Sequence, residues 1–160
     1  MADIISIARQ VLETEGRAVL ALADRLDDSF THAIKQLQAC QGKVVVSGMG
    51  KSGHIGRKIS ATFSSTGTPS IFIHPAEALH GDLGMITKGD AFLSISNSGE
   101  TDEILRLIPQ LKQLSIPHIS LVGRLDSTLA RHADVVLDVS VEKEADALQL
   151  APTASTTATL

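Results

Sequence analysis

Two loops of this chain combine a strand end, glycines, hydroxyls and a following helical pattern. They are Val44-Val45-Val46-Ser47-Gly48-Met49-Gly50-Lys51-Ser52-Gly53 and Phe92-Leu93-Ser94-Ile95-Ser96-Asn97-Ser98-Gly99-Glu100-Thr101. Such a junction gathers unpaired N–H groups, hydroxyls and the positive end of a helix dipole, which together suit a phosphate group. Lys51 lies in the first loop, and acids lie in and after the second. The pair reads as a site for a small phosphorylated metabolite.

Other readings of these residues are weaker. Gly48-Met49-Gly50-Lys51-Ser52-Gly53 fits G-x-G-x-x-G, but a dinucleotide site needs an acid about 20 residues on to hold the ribose. No Asp or Glu occurs between His54 and Ala76. Gly50-Lys51-Ser52 also matches the end of a P-loop, but the first P-loop glycine would fall at Val45, in mid-strand. Close packing of strand on helix accounts for Gly48 and Gly50, not for Lys51. In the second loop Thr101 reads as an N-cap, with Asp102 and Glu103 in the first turn. Capping and phosphate binding use the same geometry, and capping alone leaves Ser96 and Ser98 unexplained.

The stretch His74-Pro75-Ala76-Glu77-Ala78-Leu79-His80-Gly81-Asp82-Leu83-Gly84 places two histidines and two acids at a strand end. His74 and His80 lack H-E-x-x-H spacing and three clear protein ligands. They read as groups for sugar hydroxyls or proton transfer, with an incidental metal on His74 as the lesser alternative. His32, His54, His118 and His132 read as surface or packing residues. Glu142-Lys143-Glu144 reads as a solvated turn by composition, with its place at a strand end raising one acid toward the cleft.

These residues need a scaffold, and the apolar pattern supplies one. Helical spacing covers Asp3 to about Gln41 in two pieces, broken at Asp27-Asp28-Ser29. Strands are expected at Lys43–Ser47, Ser70–His74, Ala91–Ser96, His118–Val122 and Val135–Val139. Helices are expected at Ile55–Ser65, Asp102–Leu114 and Ser127–Arg131, with a short helical turn after Pro75. Continuous apolar strands alternating with helices predict an α/β doubly wound, mainly parallel five-stranded sheet flanked by helices. Ligands of such sheets bind outside the carboxyl ends of the strands, where both Ser/Gly loops fall. The N-terminal pair carries more apolar surface than one small sheet needs, so a homodimer or tetramer is expected through it.

Composition narrows the function class. The chain has 160 residues, 43% of them hydrophobic, and a formal charge of −4, enough for one domain over 1–160 with a sizeable core. Its only aromatics are four Phe, and it has no basic run, which argues against nucleic acid. Cys40 is alone, so an internal disulfide and a multi-Cys metal site are excluded. No apolar run approaches a membrane span and the N-terminus lacks a signal-peptide pattern, so a cytoplasmic place is expected. The ending Ala151-Pro152-Thr153-Ala154-Ser155-Thr156-Thr157-Ala158-Thr159-Leu160 reads as a helix that stops as it begins, hence as an incomplete domain.

Val46–Gly53, His74–Leu83, Ser96–Thr101 and Ala151–Thr157 together resemble the sugar-isomerase (SIS) domain of bacterial D-arabinose 5-phosphate isomerases, and the likeness runs through the whole chain. The resemblance implies interconversion of D-ribulose 5-phosphate and D-arabinose 5-phosphate, feeding the Kdo sugar of lipopolysaccharide or capsule. It implies a flavodoxin-like architecture and tetramers with sites at subunit interfaces. Carried over by position, the essential lysine falls on Lys51 and the essential glutamates on Glu103 and Glu144, not Glu100. Gly67, Thr68, His74 and His80 fall on substrate-contacting positions, and His74 also on one that takes an inhibitory zinc ion. Ser47, Gly48, Ser52, Ser96, Ser98 and Thr101 are read as substrate-binding from the two loops themselves. No cofactor is required. Asp146-Ala147-Leu148 stands where many members have a Cys-Pro-Leu-like stretch. The family's catalytic histidine and frequent CBS pair lie downstream of Leu160, so the resemblance implies weak activity or none in this stretch alone. A regulatory sugar-phosphate-binding SIS domain is the alternative. It would need the serine loop but not Lys51 with two acids.

The chemistry fits the residues. Aldose–ketose isomerisation moves a proton between C1 and C2 through an enediolate. Carboxylates can act as base or shuttle, Lys51 can stabilise the oxyanion, and a held phosphate fixes the reacting end.

Overall fold

A computed structural model describes residues 3–148 and 150–160. Helix α1 (Ile4–Ala23) starts where the Asp3 carboxylate accepts the Ile5 N–H. Helix α2 (Asp28–Ala39) starts where Asp27 accepts the Ser29 N–H at 2.8 Å, so the expected break is a cap. The chain then alternates: β1 (Val44–Gly48), α3 (Gly50–Ser65), β2 (Ser70–Phe72), α4 (Pro75–Leu79), a 3₁₀ turn over Asp82–Met85, β3 (Ala91–Ser96), α5 (Asp102–Leu105), α6 (Ile108–Leu114), β4 (His118–Val122), α7 (Thr128–His132), β5 (Val135–Asp138) and α8 (Ala154–Thr159).

All strand pairs are parallel, in the order β2-β1-β3-β4-β5. The order reverses between β1 and β3, which creates a crevice at their carboxyl ends. Alternate strand residues feed opposite faces. Val44, Val46, Leu93, Ile95 and Ile119 pack beneath α2 and α3, with Ala33, Ile59 and Phe63. Val45 and Phe92 face the other way, against Ala78 of α4 and Leu111 of α6. At the strands' opposite ends, buried Asp90 accepts from the Lys43 N–H and ammonium, at 2.9 and 2.8 Å.

Three expectations need correction. The helix expected over Asp102–Leu114 is two helices, because Pro109 has no N–H for the Leu105 carbonyl and its ring crowds that group. The Leu107 N–H turns to Ile104 O and the Gln110 N–H to Leu107 O instead. Helix α3 starts at Gly50 rather than Ile55, so Lys51 and Ser52 sit in its first turn. Strand β2 stops at Phe72, and His74 becomes the N-cap of α4 with Pro75 at the first helical position.

Candidate functional site

The β1–α3 junction is built by glycines with different tasks. A Cβ on Gly48 would lie 2.9 Å from the Ser52 carbonyl oxygen, and one on Gly53 2.6 Å from that of Gly48. These two let strand and helix touch. Gly50 has open space around it but a φ of +56°, a left-handed turn that glycine allows. The packing reading of the motif therefore belongs to Gly48 and Gly53, not Gly50. Lys51 is exposed in this first turn, and the N-cap Met49 makes no side-chain cap bond. Ser47 is fully buried and donates to Ile73 O at 2.9 Å. Its hydroxyl ties β1 to the end of β2 and does not face solvent. Ser52 is half-buried.

The β3–α5 turn starts beside it, since Gly48 pairs with Ile95 across the sheet. Ser96, only 2% exposed, accepts the Gly99 N–H at 3.0 Å and shares a 2.8 Å bond with Thr101 Oγ1. Thr101 is the N-cap residue of α5, but its hydroxyl is turned to Ser96 and makes no cap bond. These two hydroxyls shape the turn, while exposed Asn97 and Ser98 form its outer surface. Ser98 accepts the Glu100 N–H at 3.2 Å. Glu103, half-buried, follows in the first turn of α5.

Helix α4 lies against α5 and brings its own histidine to this edge. His74 Nδ1 is buried without a hydrogen-bond partner. A buried polar atom left unpaired costs stability and calls for a partner. His80, at the far end of α4, is exposed. Among the described residues no three His, Cys, Asp or Glu side chains are grouped to hold a metal ion.

Glu144 is placed differently. It follows β5, and its Oε2 accepts from the Thr153 N–H and hydroxyl at 2.7 and 3.0 Å and from the Ser155 N–H at 3.1 Å. It thus caps α8, which packs on α1 and α3. Burial pushes its pKa up, but the hydrogen bonds from Ser155 and Thr153 outweigh burial and hold the carboxyl below its ordinary value. A cavity of about 360 Å³ between α1 and residues 143–147 includes Glu144 in its wall, with Gln10, Thr14 and Lys143.

Gly67 and Thr68 lie apart from all of these. They precede β2, at the sheet edge opposite the strand carboxyl ends. Gly67 has φ +91°, and the Thr68 N–H donates to Phe63 O at 2.9 Å. One chain does not bring them to the serine turn.

Sequence reasoning missed the support behind that turn. Glu100 accepts the Thr128 N–H of α7 at 2.8 Å, a link across 28 positions with no local signature. It also missed the buried trio in which Ser94 Oγ meets His118 Nε2 at 2.8 Å and Ser120 Oγ at 3.0 Å.

The SIS domain family matches residues 37–160 of this chain. The chain belongs to that family. The SIS chain is 56% identical over 158 residues to the arabinose 5-phosphate isomerase KdsD of Escherichia coli K12, covering 99% of this chain and 48% of that protein. It is 55% identical over the same length to KdsD of Pseudomonas aeruginosa. It thus spans about half the length of the curated relatives it matches. A solved Escherichia coli CFT073 protein in complex with arabinose 5-phosphate superposes with a TM-score of 0.94 and 48% identity, over 99% of this chain and 84% of that one. The Vibrio vulnificus NanR protein, solved with ManNAc-6P, shares the SIS fold at 18% identity, over 98% of this chain and 57% of that one, with a TM-score of 0.75.

Proposed function

We propose that this SIS chain is the sugar-phosphate domain of an isomerase that interconverts D-arabinose 5-phosphate and D-ribulose 5-phosphate. The observation that carries this is the serine turn of β3 set beside the Lys51-bearing turn of α3 at the β1/β3 crevice. The identity to KdsD proteins and the likeness to a structure holding arabinose 5-phosphate support it.

The outer face of the Asn97–Gly99 turn receives the phosphate and fixes the sugar's far end, with Ser96 and Thr101 shaping the turn from within. Glu103 takes the C2 proton of the aldose, and the electron pair moves to O1 as an enediolate. Lys51 stabilises that oxyanion. The proton returns at C1 while one hydroxyl proton passes from O2 to O1, giving the ketose with no net change in atoms or electrons. The unpaired His74 Nδ1 accepts a sugar hydroxyl, and Ser52 lines the same edge. Glu144 joins the proton traffic only after α8 releases it, because its present bonds make it a weaker base. The reaction needs no cofactor. A zinc ion on His74 Nδ1 would occupy the hydroxyl's place and inhibit.

Gly67 and Thr68 reach substrate only from a second copy of the chain, so the working unit is a homodimer or tetramer, and exposed His80 at the end of α4 offers a further sugar contact. The product arabinose 5-phosphate then feeds Kdo for lipopolysaccharide or capsule in the cytoplasm. Calorimetry with arabinose 5-phosphate tests the reading. A chain carrying both Ser96→Ala and Ser98→Ala should fold and bind more weakly, and unchanged affinity would overturn the phosphate assignment.

A further inference from the structure

The serine turn does not stand by itself. Behind it run the β4–α7 connection, residues 123–127, and the first turn of α7, and the serine turn is joined to them at three levels. Asn97 O accepts the Gly123 N–H at 3.0 Å. Gly99 O accepts the Leu129 N–H at 3.0 Å. The Glu100 carboxylate accepts the Thr128 N–H at 2.8 Å.

The contact is tight on both sides. A Cβ on Gly99 would collide with the Ser127 side chain, and one on Gly123 with the Asn97 side chain. Gly99 also holds a φ of +64°, so both space and conformation demand glycine there. Ser127, fully buried, caps α7 through the Ala130 N–H. The bond from Thr128, with the nearby Arg131 and Arg124 guanidinium groups, holds the Glu100 carboxyl below its ordinary value.

From these contacts we infer that Glu100 is a positioning residue: it struts the phosphate turn against the N-terminus of α7 and thereby sets the turn's curvature. This rests on the phosphate reading above. Coulomb's law alone gives Glu100 the opposite role. A carboxylate next to a phosphate site repels the phosphate, so deleting its charge should tighten binding. A strut predicts that deleting the side chain loosens binding, because the turn loses its support. The two accounts differ in sign.

The experiment is calorimetric titration with arabinose 5-phosphate of the unaltered chain, Glu100→Ala, Glu100→Gln and the Ser96→Ala/Ser98→Ala pair, with inorganic phosphate as competitor and phosphorus NMR of the bound sugar. The Gln side chain keeps an oxygen to accept the Thr128 N–H but carries no charge. Glu100→Ala should weaken binding about 3–10-fold, the range set by losing a helix-cap bond, and shift the bound phosphorus resonance. Glu100→Gln should bind as well as the unaltered chain or better. Equal or tighter binding by Glu100→Ala, with the serine pair weakened, would overturn the strut and leave the phosphate reading standing. Equal weakening by Ala and Gln would also overturn it, since the accepting oxygen would then be irrelevant. If the serine pair binds normally and inorganic phosphate does not compete, the phosphate reading fails and the strut falls with it.

Discussion

His118 stays neutral in the folded chain because burial removes water from its ring. It is 4% exposed, edge-on to Phe92 at 5.5 Å and bonded to Ser94. Burial lowers its pKa from 6.5 to about 4, against the pull of Asp134 and with help from His132 and Lys112. The unfolded chain binds the extra proton first, so stability is complete above about 6.5 and falls as the pH drops toward about 4. The loss is on the order of 3 kcal/mol. The depressed carboxyls of Asp90, Asp138 and Glu144 give up their contributions from their ordinary values of 3.8, 3.8 and 4.5 downward, so most of the slope above 4.5 belongs to His118. Melting temperature against pH should therefore slope between 6.5 and 4, and His118→Asn should flatten that slope. A slope unchanged by the substitution would contradict the assignment. Under the proposed function, Lys51→Ala and Glu103→Gln, each made in a full-length protein that carries this domain, should lower isomerase turnover about 10²–10⁴-fold while arabinose 5-phosphate still binds, because oxyanion stabilisation and proton transfer supply that range. Added zinc should inhibit, and His74→Ala should remove that inhibition.

At the scale of elements, glycine placement fixes how α3 meets β1. Gly53→Ala would push a methyl to 2.6 Å from the Gly48 carbonyl oxygen, an overpacking that costs about 1–3 kcal/mol. Gly16→Ala, with no atom within 4 Å of the new methyl, should not destabilise. Thermal denaturation of the two variants separates these outcomes. The same elements show what a sequence discloses. Continuous runs such as Val44-Val45-Val46 announce buried parallel strands, and Asp27 announces a cap. Pro109 is visible too, yet its break in the helix falls four residues earlier, where the Leu105 carbonyl loses its donor. Glu144 illustrates the harder case. A charged triplet after a strand looks solvated, and only the returning chain at Thr153 and Ser155 turns it into a cap. Long-range partners of this kind leave no periodic trace.

For the whole molecule, α1 is the anomaly. Ile5, Leu12 and Val19 recur every seven residues and are 66%, 72% and 43% exposed, with Leu20 beside them at 73%. A stripe of that length, spaced for a helix partner, fits burial by a second copy. The opposite-edge position of Gly67 and Thr68 asks for the same arrangement. The chain should sediment as a dimer or tetramer at micromolar concentration. A chain with both Leu12→Glu and Leu20→Glu should sediment as a monomer and bind arabinose 5-phosphate less well. A monomeric parent would contradict both expectations.

The β1/β3 pairing has a kinetic side. Lys43 and Asp90, which clasp its start, are 47 positions apart, and every other strand contact also spans a helix. Such long closures are slow and come after local helices form. The crevice at that seam exists only once the closure is complete, so a sugar phosphate recognises the finished molecule and not its precursors. Bound ligand should then slow unfolding by its full stabilisation and leave the refolding rate unchanged. Nascent chains would gain nothing from substrate while they fold, and much from it once folded.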